Sequence, residues 1–268
     1  MDDGFSVFPH TPYDTGVTAC LVLSALFAFQ FVRQLVRLLP VPFSVCILGD
    51  CYVFRWQNLI VSWFHALITG ISASSCLWFY WESMFEDMMH FVNWHSFCVC
   101  CFATGYFLYD TLDIVYGGRL KQKWDILLHH LAIVLAATYI MLNVRAVGYF
   151  VFALIVEMNT AFLHARKLFQ MAAYSREHLV VRANLILNLL TFVPFRFMPM
   201  IYLSYAFRFE RHQMSWIYQI YLLLSISILN VINLVLLYRL LNADVLPVLH
   251  KNNSFLRLVP IRSKPNET

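Results

Sequence analysis

Two adjacent histidines, His129 and His130, lie inside one long apolar stretch, and a carboxylate, Asp110, lies inside the stretch before it. A carboxylate beside an imidazole fixes its tautomer and raises its basicity, which suits a general base or a nucleophile. Asp113 follows Asp110 by three residues, on the same face of a helix. Further polar groups sit in neighbouring apolar stretches: His65, Glu157, Asn159, Asn184 and Arg196. Ionisable groups at membrane depth are costly, so each is a functional suspect. Each also has a plainer reading. Asp113 is near enough to a helix end to act as a cap, and His65 or Glu157 can be hydrogen-bonded packing residues. Two imidazoles at one depth with a carboxylate opposite are harder to explain by packing.

Metal chemistry fits these residues poorly. Neighbouring positions on a helix point about 100° apart and chelate one ion badly. His10, His90, His95, His178, His212 and His250 are scattered over surfaces and loops. Cys98 and Cys101 form a C-x-x-C without a second pair to complete a zinc site. Most of the cysteines fall in apolar segments, where a free thiol packs as a small hydrophobe. No metal and no cofactor is expected.

The elements that must position these groups follow from composition. Of 268 residues, 60% are hydrophobic and 13% charged, against about 25% charged in soluble domains. Lipid must solvate the excess, and its spans must be helices or a closed barrel. The apolar runs are long and continuous, so the fold class is all-α, a polytopic transmembrane helix bundle. Seven stretches reach spanning length: 16–38, 58–81, 93–116, 124–143, 147–169, 182–207 and 214–240. The sixth contains Pro194, Arg196 and Pro199 and must be kinked or broken, which leaves six spans as an alternative. Three regions result: an extracytoplasmic N-terminal segment 1–15, a bundle 16–240 and a flexible cytosolic tail 241–268.

With seven spans, 15 of the 19 Lys and Arg residues fall on one set of ends. That side is expected in the cytosol, with the C-terminus inside. The net charge of +4 reads as a topology signal with some attraction to anionic lipid, and gives no reason to expect nucleic acid. Sequons at Asn252 and Asn266 fall on the tail and are expected to stay unglycosylated. Counted from the basic ends at 1.5 Å per residue, His65, Asp110 and the histidine pair all lie roughly 8–11 Å deep. Spans three and four, joined around Gly117 and Gly118, form a hairpin that lets Asp110 face His129.

The blocks from Gly105 to Ile114, Trp124 to His130 and Leu154 to Asn159 resemble the TLC-domain family of translocon-associated membrane proteins and ceramide synthases. The run from Arg55 to His65, with the basic end of the first span from Arg33 to Pro42, is similar to the branch of TLC-domain-containing proteins 1 and 2. The resemblance covers about residues 20–240. The ceramide-synthase side implies acyl transfer from acyl-CoA as substrate, with His129 and His130 at the catalytic centre and Asp110 beside them. A second motif of those enzymes, a His-Asp pair and a following Asp, is replaced here by Val156, Glu157 and Thr160. The branch implies membrane-fluidity homeostasis: regulation of phospholipid acyl-chain composition that limits incorporation of polyunsaturated chains. Partners are then membrane phospholipids or fatty acyl groups, with His65, Asp113, Glu157, Asn159, Asn184 and Arg196 as lipid contacts. The branch also implies a plasma-membrane location, with the endoplasmic reticulum as the alternative.

Overall fold

Helix dominates because a chain in lipid must satisfy its backbone N–H and C=O groups within each spanning segment. The computed structural model describes residues 13–118, 120 and 123–245. Helix α1 (Thr15–Arg37) opens on Asp14, whose carboxylate accepts from the Val17 N–H at 2.7 Å. A short turn, α2 (Phe43–Cys46), leads into α3 (Asp50–Phe79). This helix starts eight residues before the apolar stretch does, so its first two turns carry polar groups such as Arg55 past the spanning region. After α4 (Trp81–Glu86), α5 (Trp94–Tyr116) begins at a reciprocal cap: Asn93 accepts from the Ser96 N–H, and Ser96 Oγ from the Asn93 N–H. Gly118, at φ +67°, ends the turn after α5, and α6 (Trp124–Asn143) returns antiparallel.

The fifth span is broken into α7 (Val147–Leu154) and α8 (Val156–Met171), with Ile155 between them. The sixth is broken as its prolines require. Helix α9 (Leu179–Phe192) and α10 (Met198–Glu210) are joined by one π-helical turn, Val193–Phe197. Pro194 and Pro199 lack an N–H, and their rings crowd the carbonyls one turn back. The wider π turn absorbs both, and the Met198 N–H reaches the Val193 carbonyl. Such turns recur at functional sites. A seventh helix, α11 (Trp216–Leu240), completes the set. Among the described residues seven helical stretches are long and apolar enough to span a membrane, in line with the seven-span reading.

Residues up to Ile226 form one compact unit; from Ser227 a second continues α11 and ends in a π turn, Leu241–Val245. The start of the expected tail is therefore helical. Residues 1–12 and 246–268 lie outside the described residues, and with them most of the N-terminal segment, the rest of the tail and both sequons.

Within the first unit, α5 is the central helix, packed against α1, α3, α6 and α7. Two close approaches set its surroundings. A Cβ on Gly105 would lie 2.6 Å from the Val22 carbonyl oxygen of α1. A Cβ on Gly70 would lie 2.6 Å from the Met158 backbone nitrogen of α8. Small residues let membrane helices meet at backbone distance, where packing rather than hydrophobicity drives association. The second contact seats α8 on α3 beside Glu157. Phe27, Phe31, Trp78, Leu131, Leu135 and Ile201 point outward as a lipid-facing belt.

Candidate functional site

The polar side chains at the basic end meet around one asparagine. Asn58, about two turns into α3 and buried, donates through Nδ2 to Asp110 at 2.6 Å and to Asp113 at 3.3 Å, both on α5. Its Oδ1 accepts from Lys123 Nζ, at the start of α6, at 2.8 Å. Both ends of the amide are thus used, and the lysine is coupled to two carboxylates through it. Arg33 of α1, only 1% exposed, brings Nε to 3.8 Å from Asp113 and lies over the Phe54 ring at 4.6 Å. Two cations and two carboxylates therefore close into a charge-balanced group, the condition under which buried charge is tolerated.

A second group stands on α8 and the π turn. Arg196 donates from Nε to Asn159 Oδ1 at 2.6 Å and from Nη2 to Thr160 at 2.8 Å. Asn159 Nδ2 donates to the Asn188 carbonyl and to Thr191 Oγ1 at 2.9 and 3.0 Å. Glu157, buried on the same helix, lies within electrostatic reach of Arg196 and bonds Thr160. This group is again one cation against one carboxylate. Arg196 stands within the π turn of the kinked span and is buried.

The histidine pair joins the two groups. His130 Nδ1 lies 3.4 Å from Asp110 Oδ2, outside hydrogen-bond geometry, with the Phe107 ring at 5.1 Å. The His129 ring is 5.7 Å from that of His130 and lies within electrostatic reach of Arg196. Adjacent helix positions diverge, so one imidazole serves each group. The sequence places Asp110 opposite His129; the structure puts it against His130, because His130 is the position of the pair that α6 turns toward α5. His65 stacks flat on Tyr106, with ring centroids 3.7 Å apart and planes within 10°. His164 of α8 lies within reach of both His65 and Arg196.

Several polar atoms in this interior have no hydrogen-bond partner among the described residues: His65 Nε2, Nδ1 of His129 and of His130, Tyr109 Oη, Asn188 Nδ2, and Nε and Nη1 of Arg33. Each such atom costs about 1–3 kcal/mol when kept from water. Their concentration in one region marks it as receptive to a polar guest. Among the described residues no three His, Cys, Asp or Glu side chains are grouped as metal ligands.

Of the residues singled out by sequence, Asp110, Asp113 and His130 fall in the first group, and Glu157, Asn159 and Arg196 in the second. His129 and His65 lie between or beside them. Asn184 is engaged elsewhere: its amide donates to the Phe162 carbonyl at 3.1 Å, tying α9 to α8. Sequence reasoning missed the linking role of Asn58, Lys123 and Arg33, and passed over His164. The last was detectable, since Glu157, Thr160 and His164 recur at helical spacing on one face.

The family model of the TLC domain matches residues 55–242, which take in every group described above except Arg33. TLC domain-containing protein 1 of Homo sapiens is 30% identical, over 85% of this chain and 90% of its own. TLC domain-containing protein 2 of Danio rerio is 29% identical, over 81% of this chain and 85% of its own. The human protein 2 is 32% identical, over 73% and 72%. No solved structure matches the chain. A seven-helix bundle of this pattern, matched across its site and similar over most of its length to these relatives, belongs to the TLC-domain family.

Proposed function

We propose that this protein is a membrane-fluidity homeostasis protein that regulates phospholipid acyl-chain composition and limits the incorporation of polyunsaturated chains. The observation that carries the reading is the pair of charge-balanced groups joined by His129 and His130, with unpartnered polar atoms between them. At about 8–11 Å from the basic end, His65, Asp110 and the histidine pair lie at the level of acyl esters, and the group of Glu157 and Arg196 lies deeper, toward mid-membrane. The layer selects phospholipids through the ester and head group, while the apolar bundle face senses chain shape. The basic ends and the C-terminus face the cytosol, and the working membrane is the plasma membrane. Similarity to TLC domain-containing proteins 1 and 2 supports the same reading. Lipidomics of cells lacking the protein tests it. Polyunsaturated phospholipids rise in those cells and return to normal with the wild type, but not with a His129→Ala/His130→Ala protein at equal abundance. Full rescue by the double variant rejects the layer as the site.

The 3.4 Å approach of His130 to Asp110 supports a second reading, acyl-CoA-dependent acyl transfer. The imidazole takes the proton of an acceptor hydroxyl, whose oxygen attacks the thioester carbonyl. The C–S bond breaks, and the coenzyme A thiolate recovers the proton from the imidazolium. Purified protein that turns over no acyl-CoA with lysophospholipid or amine acceptors rejects this reading and leaves the first standing.

A further inference from the structure

Away from the polar interior, the basic end of the first unit carries a cleft of about 190 Å³. Its walls are Val45, Leu48, Tyr52, Lys167, Gln170 and Met171, contributed by the connection between α1 and α3, the first turn of α3 and the end of α8. Ser44 Oγ donates to the Met171 carbonyl at 2.9 Å and pins that connection to α8. Val45 is buried beneath it, while Leu38, Phe43, Ile47 and Leu48 are exposed. The rim is thus apolar as well as basic.

Lys167 lies within electrostatic reach of Arg55 and Arg166. Among the described residues no carboxylate forms an ion pair with Lys167 or Arg55. Among the described residues, then, Lys167 and Arg55 carry charge that no ion-paired carboxylate offsets, whereas Arg33 of the interior has Asp113. Clustered cations repel one another unless an anion sits among them. A small water-soluble anion has no use for the exposed leucines, isoleucine and phenylalanine beside the cations. A lipid with an anionic head has use for both, and basic pockets between spanning helices are a recurrent means of holding such heads.

We propose that this cleft binds the head-group phosphate of an anionic phospholipid in the leaflet at the basic end, with its chains lying along the exposed connection between α1 and α3. The site is separate from the His129 and His130 layer and does not depend on the function proposed for that layer. It gives the protein a means of reading head-group charge alongside acyl composition.

The test uses the full chain in nanodiscs of mixed phosphatidylcholine and phosphatidylserine, with native mass spectrometry of the lipids retained. Wild-type protein keeps phosphatidylserine in preference to phosphatidylcholine. The preference falls about 25-fold in Arg55→Gln/Lys167→Gln, about fivefold for each cation removed. If the double variant melts early, Lys167→Gln alone carries the test with its fivefold fall, and Lys167→Arg keeps the preference. Arg176→Gln/Arg182→Gln removes the same charge from the same end and keeps it too. Equal loss in that control assigns the preference to diffuse surface potential and overturns the proposal. So does displacement of the lipid by inorganic phosphate, which assigns the cleft to a free anion, and so does a wild type without preference.

Discussion

Replacing Asn58 by leucine removes the hinge of the first polar group. Three hydrogen bonds go: those to Asp110 and Asp113, and the one accepted from Lys123. Interhelical hydrogen bonds inside membranes average about 0.6 kcal/mol, so the three together contribute about 2 kcal/mol. Asp110, 3% exposed, is left short of a donor in a dry interior, and a stranded buried acceptor costs about 1–3 kcal/mol. The overlap of the two terms puts the expected loss at about 2–4 kcal/mol. Because much of it is the penalty on Asp110, it should shrink once Asp110 is itself made apolar. A double-mutant cycle of Asn58→Leu and Asp110→Leu, followed by unfolding in mixed micelles of rising SDS fraction, is expected to give a coupling of about 1–2 kcal/mol. Additivity to within about 0.5 kcal/mol would mean that the amide does not anchor the carboxylate, and the first group would lose its physical basis.

Other perturbations separate backbone crowding from backbone strain and surface from interior. Gly70→Ala pushes a Cβ to 2.6 Å from the Met158 nitrogen and should cost about 1–3 kcal/mol by overpacking, measured in the same unfolding assay. Gly118→Ala meets nothing within 4 Å and should cost only the left-handed strain of about 1–2 kcal/mol; a Gly70→Ala protein as stable as wild type refutes the close seating of α8. Asp87, in the loop before α5, is partly desolvated, which works to raise its pKa. The His90 imidazole at 2.8 Å and the N–H groups of His90 and Met89 outweigh this and hold it below its ordinary value. A carboxyl depressed in the folded state adds stability that is present above its unfolded pKa of about 3.9 and is lost as pH falls through the folded value. The gap in melting temperature between wild type and Asp87→Asn should therefore be full at pH 7 and close below pH about 4; a gap that stays constant rejects the assignment.

The spans were legible because apolar length is nearly sufficient evidence for a membrane helix, and the break in the sixth because Pro194 and Pro199 cannot continue a regular ladder. The break at Ile155 was not legible, since no proline or glycine marks it. The depth of the polar layer could be counted along each helix, but which group faces which could not. A turn of 100° per residue separates His129 from His130, and only the packing of α6 on α5 decides which of them meets Asp110. Lys123 read as one more basic loop residue, because nothing local reveals that its ammonium folds back onto Asn58, 65 positions earlier. Arg33 at the end of α1 looked like an interfacial charge for the same reason, and is instead buried beside Asp113.

The central claim, that a phospholipid seats in the interior layer, is tested most directly by photolabelling. The probe is a phosphatidylcholine whose polyunsaturated chain carries a diazirine close to the ester, incorporated with the purified full chain and activated before peptide mapping. A lipid held in the layer places adducts on inward-facing residues of α5 and α6, such as Tyr106, Phe107 and His130, and loses them in the His129→Ala/His130→Ala protein. Adducts confined to the outward-facing Leu128, Leu131 and Leu135, and unchanged in that variant, would place the lipid on the surface of the bundle and contradict the claim.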